Sequence, residues 1–255
     1  MRRNKSLLLV ASAALALSLS GLASAGIDAT KHNMSSSGTG AIKSNAQGVG
    51  AGTDEICVFC HTPHMNVAKG NVLPLWNHRL STGLGGGYTM YKSASFNGAD
   101  NLAGDVTLGT PTHSGDLVTG GMSVTNLCLS CHDGTQAVNA MFNPPNRVGA
   151  TDPTMVGDDT IQNTSNAWLG TDLSNDHPVN FSYSVSQTVS DETLVAPDGS
   201  GNVSGAAGTV RLFNDTVQCA SCHDPHKDYN ANPEYTPFLR VPISGSKLCL
   251  TCHAK

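Results

Sequence analysis

Aromatic side chains are scarce in this sequence, at 5% of 255 residues, and charged ones reach only 13%. A core built on stacked rings and a helical surface laced with ion pairs are both short of material. Lysine and arginine number 14 and form no cluster, which excludes the basic footprint that nucleic acid demands. Beyond the first 25 residues no run approaches the ~20 apolar residues of a transmembrane helix. No cysteine precedes Cys57, so a lipid anchor on an N-terminal cysteine is excluded as well. In place of these features, Gly, Ser, Thr and Asn crowd residues 81–121 and 146–210, a composition that favours turns over packed helices. Something other than side chains must therefore supply much of the interior, as a metal, a disulfide set or assembly does in other weakly cored chains.

Residues 1–25 read as a cleaved signal peptide. Arg2, Arg3 and Lys5 form the basic region, Leu7 to Leu17 the apolar region, and Ala23-Ser24-Ala25 the small-residue cleavage site. Removing the leader takes the formal net charge from -5 to -8 and leaves residues 26–255 as a single secreted unit. Export also places the cysteines in a compartment that permits disulfides.

All eight cysteines fall into one pattern. They stand at 57, 60, 128, 131, 219, 222, 249 and 252, always as C-x-x-C, and the next residue each time is histidine: His61, His132, His223 and His253. This is the attachment signature of c-type haem. Two thiols three residues apart, Cys57/Cys60, Cys128/Cys131, Cys219/Cys222 and Cys249/Cys252, reach the two vinyl groups on one edge of a porphyrin, and the adjoining imidazole meets the iron as proximal ligand. A disulfide framework does not require histidine after every second cysteine. Redox dithiols do not come in fours. Intervals of 71, 91 and 30 residues between motifs do not match zinc modules. The sequence thus points to four covalently bound haem c groups.

Six histidines remain for the opposite axial positions: His32, His64, His78, His113, His177 and His226. Methionine is the other option, with Met34, Met65, Met90, Met122, Met141 and Met155 present, but the surplus of histidine favours bis-histidine sites. His64 and His226 repeat one arrangement, C-x-x-C-H-x-P-H. Three residues span at most ~11 Å, whereas imidazoles on opposite faces of one iron, with bonds of ~2 Å, put their Cα atoms ~12 Å apart. The second histidine is therefore expected to serve a neighbouring haem, which holds the haems nearly in contact. Nearness in sequence points His226 to the haem at Cys249/Cys252, and His64 to the one at Cys128/Cys131 or to another subunit. His177 precedes Pro178, which pushes it into an extended conformation suited to a ligand at a strand end. His32 lies near the mature N-terminus, where ligation would tie down a mobile end. His78 and His113 are reserves.

Several segments together resemble a known family: Lys31-His32-Asn33-Met34-Ser35, Ile56 to His64, Pro74-Leu75-Trp76-Asn77, Leu127 to Gly134, Asp176-His177-Pro178-Val179, Cys219 to His226 and Leu248 to His253. In that order they are similar to the multihaem c-type cytochromes of metal-reducing bacteria, and in particular to tetrahaem outer-surface cytochromes that polymerise into extracellular filaments. The resemblance covers nearly the whole mature chain. It implies bis-histidine haems with distal ligands at His32, His64, His177 and His226, and subunits joined by a histidine of one protomer on a haem of the next. The family pattern often has another residue at the place of His78.

The expected fold is mostly irregular and loop-rich, nucleated by haem, with short helices at the C-x-x-C-H motifs and a few short strands. Alternation of Val179, Phe181, Tyr183 and Val185 marks 179–189 as strand-like, and 208–213 likewise. Leu127, Leu129, Leu248 and Leu250 are expected against porphyrin. The expected function is electron transfer, not enzymatic catalysis: closely stacked haems at the cell surface or outside the cell, reached through the periplasm, in a homopolymer that takes electrons from partner cytochromes and delivers them to acceptors such as metal oxides. The competing readings are a multihaem reductase with one open iron site and a monomeric periplasmic shuttle.

Overall fold

A computed structural model describes residues 26–47, 51–63, 75–80, 88–91, 124–145, 151–189 and 194–254; His64, His113 and the leader lie outside them. In chain order the elements are β1 (Lys43–Ser44), a 3-10 turn at Cys57–Phe59, β2 (Thr89–Met90), α1 (Val124–His132), β3 (Met155–Val156), β4 (Asp172–Leu173), β5 (Phe181–Ser182), α2 (Tyr183–Val189), β6 (Asn202–Gly205), β7 (Gly208–Arg211), β8 (Thr216–Val217), α3 (Cys219–Cys222), 3-10 turns at Pro233–Tyr235 and Ser244–Ser246, and α4 (Lys247–Cys252). Among the described residues the strands pair only in twos: β1 with β3, β5 with β8 and β6 with β7 antiparallel, β2 with β4 parallel. Most of the described residues lie in loops, and no described helix is long and apolar enough to cross a membrane.

Among the described residues the scarcity of large apolar side chains divides the core into three small clusters. Val58, Phe59 and Met141 pack with Cys60 around the first C-x-x-C turn. Tyr88, Met90, Leu129 and Leu173 surround α1. Phe181, Tyr183, Val203, Leu212 and Val217 gather with Cys252 beside α4. Each cluster thus abuts a cysteine-bearing turn. Leu129 is fully buried in its cluster, while Leu250 of α4 is 46% exposed on the protein surface.

The run 179–189 is strand only at Phe181–Ser182 and turns helical from Tyr183, which corrects the alternation reading. The Asp215 carboxylate accepts hydrogen bonds from the Ser184 N–H and from the Ser182 hydroxyl, at 3.2 and 2.7 Å. A carboxylate 31 residues downstream therefore satisfies the orphan donors of the first helical turn, and local periodicity carries no sign of it. The run 208–213 supplies β7, but its partner is β6, with Val203 opposite Val210.

Polar side chains hold the loops where apolar mass is lacking. Asn77 is fully buried; its Nδ2 donates to the Val58 and Asn143 carbonyls at 2.6 and 3.0 Å, and its Oδ1 accepts from the Asn143 N–H at 2.8 Å. Its own N–H donates to the Cys60 carbonyl at 2.9 Å. The first C-x-x-C turn is thereby fastened to the segment that follows α1. Asn77→Ala leaves buried carbonyls without donors, and the expected loss of stability is ~2–3 kcal/mol. Chemical denaturation checks this through a lower midpoint; an unchanged midpoint contradicts the role.

Candidate functional site

Every C-x-x-C-H segment lies on a helical turn, which brings cysteines three apart onto one face. His61 N–H donates to the Cys57 carbonyl at 2.8 Å, His223 to Cys219 at 3.0 Å and His253 to Cys249 at 2.9 Å, while His132 is the last residue of α1. The imidazole thus leaves the end of each turn beside its two thiols. No disulfide joins any of the eight cysteines. Burial pushes the Cys60 and Cys222 thiols up to about 11 and holds Cys131 high as well, so they stay protonated rather than acting as thiolate nucleophiles.

The four turns stand in chain order in space. The Cys60 thiol lies near Cys131, the Cys128 thiol near that of Cys219, and Cys222 near Cys252 and Cys249. Gln218 locks the second turn to the third. Its Oε1 accepts from the Thr125 N–H and hydroxyl at 3.1 and 2.6 Å, and the Cys219 N–H donates back to Thr125 Oγ1 at 3.2 Å. Each anchoring turn is therefore the neighbour of the next.

Two pairs of imidazoles lie close together. The rings of His61 and His226 are 6.0 Å apart between centroids with planes 14° from parallel. Those of His32 and His132 are 6.1 Å apart and cross at 66°. A metal–nitrogen bond of ~2.0 Å and a ring radius of ~1.2 Å on each side give ~6.4 Å between the centroids of two imidazoles that share one metal. Both pairs fit that spacing. Among the described residues no three His, Cys, Asp or Glu side chains converge on a common ion.

Backbone carbonyls orient these rings. His132 Nδ1 donates to the Ala167 carbonyl at 2.7 Å and His223 Nδ1 to Pro237 at 2.9 Å, while the carbonyls of Leu75 and Pro225 lie beside the His61 and His32 rings. His226 Nδ1 lies 3.5 Å from the Asp224 carboxylate, which Arg240 also engages at 3.0 Å. An imidazole that donates through Nδ1 presents an unprotonated Nε2, the form in which histidine binds metal, and such outer partners fix tautomer and orientation. Gly134 ends α1 in the left-handed conformation at φ 72°, and a Cβ there would strike Trp168. That close approach lets the 165–170 loop bring the Ala167 carbonyl over His132. Desolvation and the neighbouring imidazoles lower His32 to about 4; burial also lowers His132, and partial burial and the charge of His226 lower His61. All three are neutral at neutral pH. Beside the first turn a cleft of about 580 Å³ is lined by Cys57, Val58, His61, Thr62 and Leu75, among others, within the size range of cofactor sites.

Three of the four expected distal ligands can be located. His226 faces His61 of the first motif, where its position in the sequence pointed to the fourth; the fold carries residues 223–226 back to the 57–61 turn. His32 faces His132, and its segment is tied down by Asn33, whose Nδ2 donates to the Asp28 carbonyl at 2.8 Å, and by a bond from Asn230 to the Ala29 carbonyl. His177 is exposed, with Nδ1 donating to the Pro178 carbonyl at 2.9 Å, and His253 is half-buried. The carbonyls of Leu75, Ala167, Pro225 and Pro237 escaped sequence reasoning because any residue can supply a carbonyl.

No protein-family model matches the chain, and no curated protein matches it. His78, a reserve ligand, is 1% exposed, and its Nε2 donates to the Ala137 carbonyl at 3.0 Å while lying 3.5 Å from Cys131 Sγ. That nitrogen is already engaged inside the protein. In haem-loaded protein His78→Ala is expected to cost on the order of 2 kcal/mol of stability with no change in ferric spin state. A new high-spin component would make His78 a ligand.

Proposed function

We propose that this chain is a secreted tetrahaem c-type cytochrome that conducts electrons along haems anchored at Cys57/Cys60, Cys128/Cys131, Cys219/Cys222 and Cys249/Cys252. The observation that carries the reading is the spacing of the imidazole pairs: 6.0 and 6.1 Å between rings, each pair joining the histidine of a C-x-x-C-H motif to one from a distant segment. His61 and His226 would hold the first iron, and His132 and His32 the second. His223 and His253 would be the proximal ligands of the third and fourth, with His64 and His177 as their distal partners within the chain or from a neighbouring copy. Haem supplies a one-electron iron couple, and two imidazoles per iron close both axial positions to substrate. The chain's own contribution is to keep successive anchors adjacent, since electron tunnelling falls steeply with separation, and to hold the His132, His223 and His226 imidazoles by a carbonyl or carboxylate.

The same reading includes a homopolymer at the cell surface or beyond it, receiving electrons from partner cytochromes and passing them to extracellular acceptors such as metal oxides. Its support is the resemblance of the ordered motifs to those of filament-forming cytochromes, together with the exposed His177, whose Nδ1 donates to the Pro178 carbonyl and leaves Nε2 unprotonated. The closed-site chemistry has a direct test. The intact ferric protein should be low-spin at all four irons, and His226→Ala should retain four haems while one quarter of the iron becomes high-spin. A high-spin fraction in the intact protein would favour an enzyme with an open site, and an unchanged variant spectrum would remove His226 from the ligands.

A further inference from the structure

The loop that follows the third motif reaches two different imidazole sites from adjacent residues. At one of them, the Pro237 carbonyl accepts from His223 Nδ1 at 2.9 Å. At the next, the Phe238 ring lies face to face with His32, 4.3 Å between centroids and 15° between planes. Phe238 is buried, and its backbone sits at φ 58°, in the left-handed region that bulky residues avoid. Such a conformation persists where surrounding structure over-determines it, and it is met mainly at functional sites.

The surroundings do over-determine it. The Phe238 carbonyl accepts from the Asp224 N–H at 2.7 Å, Leu239 N–H donates to Tyr235 at 2.7 Å, and Arg240 N–H donates to Cys222 at 2.8 Å, so the loop is laced to the third C-x-x-C-H turn. Tyr229 packs edge-on against the far side of the Phe238 ring at 4.6 Å. Lys227 Nζ lies 3.3 Å over the Tyr235 ring, which fixes the start of the loop. His32 is thus gripped by a flat wall on one side, with the Pro225 carbonyl also beside its ring.

We propose that Phe238 is a positioning residue that sets the rotation of the His32 imidazole, and so the 66° crossing of the His32 and His132 planes, while the adjoining Pro237 carbonyl sets that of His223. The inference rests on the reading of His32 and His132 as an axial pair. Its consequence is electronic: crossed imidazole planes leave two iron d orbitals nearly equal in energy, whereas near-parallel planes, as at His61 and His226, split them. The second site carries the more anisotropic ferric signal, with the larger maximum g value, and the first site the more rhombic one.

The test is electron paramagnetic resonance of the haem-loaded protein carrying Phe238→Gly, with Phe238→Tyr and His32→Ala as companions. Glycine adopts the left-handed conformation freely, so Phe238→Gly removes the ring while keeping the loop. His32→Ala assigns the signal of the second site by abolishing it. Phe238→Gly should shift and broaden that signal alone, and Phe238→Tyr, which keeps the flat face, should restore it. A Phe238→Gly spectrum that superimposes on the parent's, or equal disturbance of all four signals, overturns the proposal. A haem assay on the same samples separates this failure from that of the underlying reading: protein without haem sinks both, whereas four haems with an unmoved signal sink only the role of Phe238.

Discussion

A helical turn with two thiols on one face and an imidazole leaving its end is the constraint on which everything else in this molecule depends. The hydrogen bonds from His61, His223 and His253 back to the first cysteine of their motifs close three of the four units in the same way. Four such turns can then be set beside one another only by side chains and loops between them. Gln218 does this between the second and third turns, and Asn77 between the first turn and the segment after α1. The polar character of these links follows from a composition too poor in large apolar residues for one continuous core.

The same poverty explains why the core comes in three clusters, each beside a cysteine-bearing turn. A porphyrin bound as proposed would contribute a large apolar plate at such a place, and an exposed leucine such as Leu250, next to Cys249, would gain from being covered. Burial also disfavours protonation of the His32, His61 and His132 imidazoles, most strongly at His32. Desolvation that would be a plain cost for an isolated histidine here favours the protonation state in which an imidazole can bind iron.

Much of the site was legible in the sequence because its pieces are local. Two thiols and an imidazole within five residues announce themselves, and the helical turn follows from the three-residue interval. The loop-rich character could be read from glycine, serine, threonine and asparagine. Partners brought together from far apart could not. His226 faces His61 across more than 160 residues of chain, and nearness in sequence pointed instead to the fourth motif. Likewise, Asp215 turns the alternating run after Phe181 into a helix from 31 residues away, and Phe238 looks like any buried aromatic until its ring is seen against His32.

The measurement closest to the central claim is the intact mass of the secreted protein, taken with the thiols left unmodified and paired with a count of thiols that remain alkylatable. The account predicts the mass of residues 26–255 increased by four haem groups, with no cysteine open to alkylation. A mass equal to the polypeptide alone, with eight thiols or four disulfides in its cysteines, would contradict it.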